Sequence, residues 1–115
     1  MVERVPTVYV AGPMRGHEDF NHPAFDRQAE VLRIQGWEVI NPADMDREIQ
    51  GFETYEDDAE FLREALRRDF VALCERCTAI YMMSGWESSK GAKAEWAIAK
   101  ALSLAIFYEA PLPIE

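Results

Sequence analysis

Four short, apolar, β-rich runs punctuate the chain, at Thr7–Ala11, Trp37–Ile40, Thr78–Met83 and Leu104–Tyr108. The stretches between them carry apolar residues at three- and four-residue steps, the period of a helix with one buried stripe. The first helical stretch begins at Asn21 or His22, has Pro23 in its first turn and ends near Gln35, before Gly36. The second runs from about Asp57 to Cys77, and the third from Gly91 to Leu102 or Ser103. A βαβαβαβ order predicts a parallel sheet with helices on both faces, joined by right-handed crossovers. No internal repeat, linker or low-complexity segment breaks the pattern, so residues 1–115 are read as one domain. The acidic stretch from Ala43 to Tyr55 has weak periodicity and is read as a solvated loop holding at most a helical turn.

Open parallel sheets bind ligands beyond the C-terminal ends of their strands. Gly12–Gly16, Asn41–Tyr55 and Ser84–Gly91 fall on that edge. Two acids are misplaced for a purely structural chain. Glu95 sits within the stripe Ala92, Trp96, Ala99 and Leu102, and Asp69 within the stripe Leu62, Ala65, Leu66, Phe70 and Leu73. Arg67, Arg68, Glu64 and Glu75 are placed on the solvated faces of the same helix. A carboxylate buried bare is too costly, so an inward acid is paired, shifted in pKa, or faces a cavity. Just before Glu95, the serines and Gly91 resemble the phosphate-holding start of a helix. Two acids in unlike environments can divide labour, one attacking carbon while the other delivers a proton.

The formal net charge is −9, and no basic patch interleaved with aromatics occurs. Duplex nucleic acid is therefore excluded as a partner, while a small anion held by local backbone amides and one Arg is compatible. No charged-then-apolar leader and no membrane-spanning run is apparent, so the expectation is a cytoplasmic protein that does not engage a membrane. Cys74 and Cys77 form a lone C-x-x-C without further ligands nearby in sequence, read as two reduced thiols; no metal and no other cofactor is expected.

Several blocks carry a resemblance: Tyr9-Val-Ala-Gly-Pro-Met-Arg-Gly16, Phe20-Asn-His-Pro-Ala-Phe25, Gly36-Trp-Glu-Val-Ile-Asn-Pro42, Arg68-Asp69, and Ser84-Gly-Trp-Glu-Ser-Ser-Lys-Gly-Ala-x-x-Glu95. They span nearly the whole chain, and the last is the most specific. The chain resembles the nucleoside 2-deoxyribosyltransferase-like superfamily, closest to a small uncharacterised domain family of phages and bacteria within it. The resemblance implies a flavodoxin-like (Rossmann-like) three-layer sandwich with a four- to five-stranded parallel sheet. It also implies a homodimer or larger homo-oligomer, with Trp86, Trp96 and Leu112 offered as contact surface.

The activity implied is cleavage or transfer of the N-glycosidic bond of a nucleoside or nucleotide. By resemblance, Glu95 is the nucleophile that forms a covalent deoxyribosyl intermediate. Asp69 is the acid serving the departing base, and Tyr9 the tyrosine beside the nucleophile. Ser89 and Gly91 correspond to a phosphate loop and Arg15 to a loop arginine near the substrate. Gly12, Met14, Gly16 and Asn41 are expected on the ligand edge with them. Trp86 either stacks on a base or plugs the end of the sheet. The acidic Asn41–Tyr55 stretch has no clear counterpart in those enzymes. Two other functions fit the same residues: a nucleotide-binding or sequestering module without catalysis, and cleavage of the nicotinamide bond of NAD.

Overall fold

The computed structural model describes residues 5–48 and 59–109. In chain order the elements are β1 (Thr7–Ala11), α1 (His22–Ile34), β2 (Glu38–Ile40), α2 (Pro42–Arg47), α3 (Ala59–Arg76), β3 (Ala79–Met82), α4 (Lys90–Ala101) and β4 (Ala105–Tyr108). Short 3-10 turns cover Glu18–Asn21 and Trp86–Ser88. All pairings are parallel and the strand order is β2-β1-β3-β4. The fold is a flavodoxin-like α/β sandwich with four strands among the described residues, and β1 lies inside the sheet.

Burial follows that position. Every residue of β1 is buried, as a strand covered on both faces must be. Its side chains alternate. Tyr9 and Ala11 join Ile40, Ile80 and Met82 against Ala72 and Leu73 of α3 and Ala92 and Ala99 of α4. Val8 and Val10 pack on the opposite face with Phe25 and Leu32 of α1 and Ala43 of α2. The register sets Tyr9 beside Ile40 on β2 and Ile80 on β3. Thr78 ends up just outside β3 and staples it to β1. Its hydroxyl accepts from the Thr7 amide at 3.1 Å and donates to the Thr7 carbonyl at 3.2 Å.

Local chemistry explains the element ends. Gly36 follows α1 with φ of +101°, a conformation that residues with a Cβ rarely adopt. Asn21 stands at the N-cap position of α1, yet its side chain does not cap. Its amide nitrogen instead donates to the Pro13 carbonyl at 2.8 Å, tying the loop after β1 to the helix.

The acidic stretch takes up the helical turn that the reading as a loop allowed, as the six-residue helix α2 at its beginning. Asn41 caps that helix, its Oδ1 accepting from the Ala43 amide at 3.0 Å, and Pro42 fits the first turn. Only six residues long, α2 is too brief for periodicity to reveal it. Residues 49–58, where the rest of the expected loop and the predicted start of α3 fall, lie outside the described residues. The same holds for Leu112 and the tail from residue 110. The apolar stripe of α4 also ends earlier than expected, since Leu102 is exposed. No helix among the described residues is long and apolar enough to cross a membrane.

Candidate active site

Tyr9 points from β1 toward α3 and α4, where both misplaced acids converge. Its hydroxyl donates a short hydrogen bond to Glu95 Oε2 and lies within hydrogen-bonding reach of Asp69. Tyr9 is fully buried, and Glu95 and Asp69 are 6% and 9% exposed. Asp69 Oδ1 is buried without a hydrogen-bond partner. An orphaned acceptor at such depth is costly and calls for an explanation, of which a ligand-facing role is one.

Both acids line one cavity of about 500 Å³ at the C-terminal edge of the sheet. Gly12, Met14 and Arg15 form its wall after β1, and Ser89, Lys90 and Gly91 form it at the start of α4. Ser89 caps α4, its hydroxyl accepting from the Ala92 amide at 3.1 Å. Ser88 to Ala92 line the cavity, so the positive end of α4 lies at its wall. Gly12 is required by space, because a Cβ there would meet Met83 Cβ at 2.8 Å. Gly16 sits at a turn with φ of +82° and is not part of the cavity wall.

The wall also contains Phe20, within a run of three residues in the left-handed region: Asp19, Phe20 and Asn21, with φ of 51°, 54° and 60°. Each costs about 1 kcal/mol or more in a residue with a Cβ. The Asn21–Pro13 bond is one contact that holds this segment in place.

Electrostatics separate these acids from surface carboxylates. Burial above all, with Asp69 nearby, holds Glu95 well above the usual carboxylate range, while the hydrogen bond from Tyr9 pulls the other way. Burial first and the charge of Asp46 second push Asp69 up to about 7; Arg68 and Tyr9 oppose the shift. Burial and the neighbouring Glu95 raise the Tyr9 hydroxyl further still. Both shifts favour the protonated acids, and carboxyls that influence each other in this way titrate as a pair.

Asp46 is the residue that the sequence reading missed. It lies on α2, is 7% exposed and lines the same cavity. His22 Nε2 stands 3.6 Å from its Oδ2, and Arg68 Nη2 stands 3.8 Å from its Oδ1. Arg68 is therefore not on a solvated face as expected; it turns inward, and its Nη1 also donates to the Met45 carbonyl at 3.3 Å. Burial raises Asp46, and His22 and then Arg68 counter that. For His22 a signal existed, since it continues the buried spacing Phe25, Ala29 and Leu32 back by one turn. For Asp46 there was none, because one turn of helix has no readable period.

Four predicted residues are not part of the cavity wall: Tyr9, Gly16, Asn41 and Trp86. Asn41 is spent on capping α2, and its Nδ2 donates to Asp26 Oδ1 at 3.0 Å. Trp86 packs on Trp96 at 5.4 Å between ring centroids and near Tyr108 at 6.2 Å, so it plugs the end of the sheet. Of the two cysteines, Cys77 is buried and Cys74 exposed, and neither is in a disulfide. Among the described residues, no group of three His, Cys, Asp or Glu side chains is placed to share a metal ion.

Fold and site together define a flavodoxin-like α/β protein with two buried acids, Asp69 and Glu95, lining one cavity at the carboxyl edge of its sheet. The chain belongs to the family described as Domain of unknown function (DUF4406), whose model matches residues 6–108. No curated protein matches it.

Proposed function

We propose that this protein cleaves, or transfers across, the N-glycosidic bond of a deoxynucleoside or its 5′-monophosphate. The observation that carries the reading is the pair Glu95 and Asp69, buried on separate helices, joined to one tyrosine and open to one cavity. The resemblance to the nucleoside 2-deoxyribosyltransferase-like superfamily supports it, and so does the anion-favouring start of α4 on the same wall.

In this mechanism the Glu95 carboxylate attacks C1′ of the sugar, and the C1′–N bond breaks as its electron pair goes to the base. Asp69 gives its proton to the departing base. The product is a deoxyribosyl ester of Glu95, with Asp69 left as carboxylate. Water then attacks C1′ while Asp69 accepts its proton, which frees the sugar and restores Glu95. A second base attacking in place of water gives transfer. Attack requires the shared proton to be on Asp69, not on Glu95. The Tyr9 hydroxyl, within reach of both acids, can accept from one and donate to the other in a balanced exchange. Arg15 and the amides around Ser89 and Gly91 hold the phosphate where one is present.

The test is a panel of deoxynucleosides, their 5′-monophosphates and NAD, incubated with wild type and Glu95→Ala and read by chromatography for released base. Release by wild type and none by the folded variant is the expected result. Turnover retained in Glu95→Ala would overturn the mechanism.

A second reading has one observation in its favour. Burial drives Glu95 toward its protonated form, and a protonated carboxyl is no nucleophile. A nucleotide-binding module would use the same cavity without a covalent step. In that case Glu95→Gln keeps ligand affinity, measured by calorimetry, and wild type yields no product from any member of the panel.

A further inference from the structure

The strand order gives the cavity a direction. The loop after β2 carries α2, the loop after β1 carries Gly12 to Arg15, and the loop after β3 leads into α4. With the order β2-β1-β3, Asp46 and the start of α4 stand on opposite sides of the Tyr9 strand. Two strand spacings separate β2 from β3, roughly 10 Å. A nucleoside monophosphate has about that reach from its phosphate to the far edge of its base. One end of the cavity is lined by Ser89, Lys90 and Gly91 at the start of α4, where the helix's positive end suits an anion. The other offers the buried carboxylate Asp46, which repels one. The glycosidic bond then falls between them, beside Glu95 and Asp69, and the base falls at Asp46.

A carboxylate accepts hydrogen bonds and donates none. Asp46 stands 3.6 Å from His22 Nε2 and 3.8 Å from Arg68 Nη2, beyond the length of a formed hydrogen bond. Its two oxygens carry about four lone pairs, more than those neighbours use. A ligand N–H placed there gains an acceptor, whereas a carbonyl oxygen placed there meets negative charge. Asp69, on the same wall, supplies the complementary group, a proton for a ring nitrogen.

We propose that Asp46 reads the departing base by accepting a hydrogen bond from its exocyclic amino group, so that the enzyme takes amino-bearing bases over their oxo counterparts. This rests on the glycosidic reading above and adds its substrate class. Adenine presents the required pair on one edge, N7 to receive a proton and the N6 amino group to donate. Cytosine presents its N4 amino group beside N3. Hypoxanthine and uracil have the same shapes but place a carbonyl oxygen where the amino group stood.

Those isosteric pairs are the test. Release of base from the deoxyadenosine and deoxyinosine 5′-monophosphates, and from the deoxycytidine and deoxyuridine 5′-monophosphates, is compared as kcat/KM. Wild type is expected to favour the amino member of at least one pair by about 10- to 100-fold. Asp46→Asn, which adds an amide donor, and Asp46→Ala, which removes the acceptor, are expected to bring that ratio toward one. Both substrates of a pair are turned over by the same folded molecules, so the ratio does not depend on how much of a variant folds. Equal rates in wild type, or a ratio unchanged in both variants, would overturn the role of Asp46. If base is released and Glu95→Ala abolishes the release, the glycosidic reading stands even when this inference falls. Release from none of the four substrates overturns this inference, and release from no member of the wider panel overturns the glycosidic reading as well.

Discussion

Tyr9 is where the residues of this protein become a site. Its ring fills the core between β1, α3 and α4, and its hydroxyl connects two acids that burial alone would leave expensive. Tyr9→Phe keeps the ring and deletes the link. Base release is expected to fall by roughly 10- to 100-fold, with the loss in kcat more than in KM, because the hydroxyl serves proton placement and not binding. Steady-state kinetics on the best substrate would check it, and an unchanged kcat would remove Tyr9 from the mechanism. Gly12 makes a different demand. Any side chain there drives into Met83 Cβ, and neither backbone has a flexible end to give way. Gly12→Ala is expected to destabilise by about 1–3 kcal/mol, measured by urea denaturation at an unchanged m-value.

The helix starts at the sheet edge do more than begin helices. Ser89 caps α4 and Asn41 caps α2, and each fixes the helix that carries an acid into the cavity, Glu95 in one case and Asp46 in the other. Ser89→Ala is expected to cost about 1 kcal/mol of stability. Asn41→Ala should cost more, because Asn41 also holds Asp26, which bonds to Arg47 of α2 through two oxygens at 3.1 and 2.8 Å. Thermal unfolding of the two variants side by side would test the order; a larger loss for Ser89→Ala would contradict it. Legibility in the sequence differed sharply among these elements. The long helices α1, α3 and α4 were readable from their apolar spacing, and so was the inward position of Asp69 and Glu95. The short α2 was not, and with it went Asp46 and the inward turn of Arg68. An Arg on the apparent polar side of a helix looks solvated until a second helix is laid against it.

For the whole molecule, the buried acids make stability depend on pH in an unusual direction. The Asp69 carboxyl titrates at about 7 in the folded chain, against an ordinary value of 3.8. A carboxyl raised on folding stabilises fully below its unfolded value and loses that contribution as pH rises through the folded one. Glu95 shifts in the same direction. Asp26 and Glu64 are shifted down, so their contribution is lost only in more acidic solution. Between pH 5 and pH 8 the Asp69 contribution alone is expected to lower stability by roughly 2–3 kcal/mol, a Tm lower by roughly 5–10 °C. Asp69→Asn mimics the protonated acid, so its Tm should exceed that of wild type at pH 8 and approach it at pH 5. Calorimetry at the two pH values decides the matter, and parallel pH profiles for both proteins would show that Asp69 is not the group responsible. The alternation of apolar runs and helical stripes by itself determined the parallel α/β architecture, because burial period and chain order leave few ways to cover such a sheet. It also placed two acids inward, since a stripe position is a local property. Only the tertiary structure decided which groups meet: the strand order set Tyr9 between the acids, and the packing of α2 against α1 and α3 brought Asp46, His22 and Arg68 together. Those encounters join residues distant in sequence, and no local pattern records a distance across the fold.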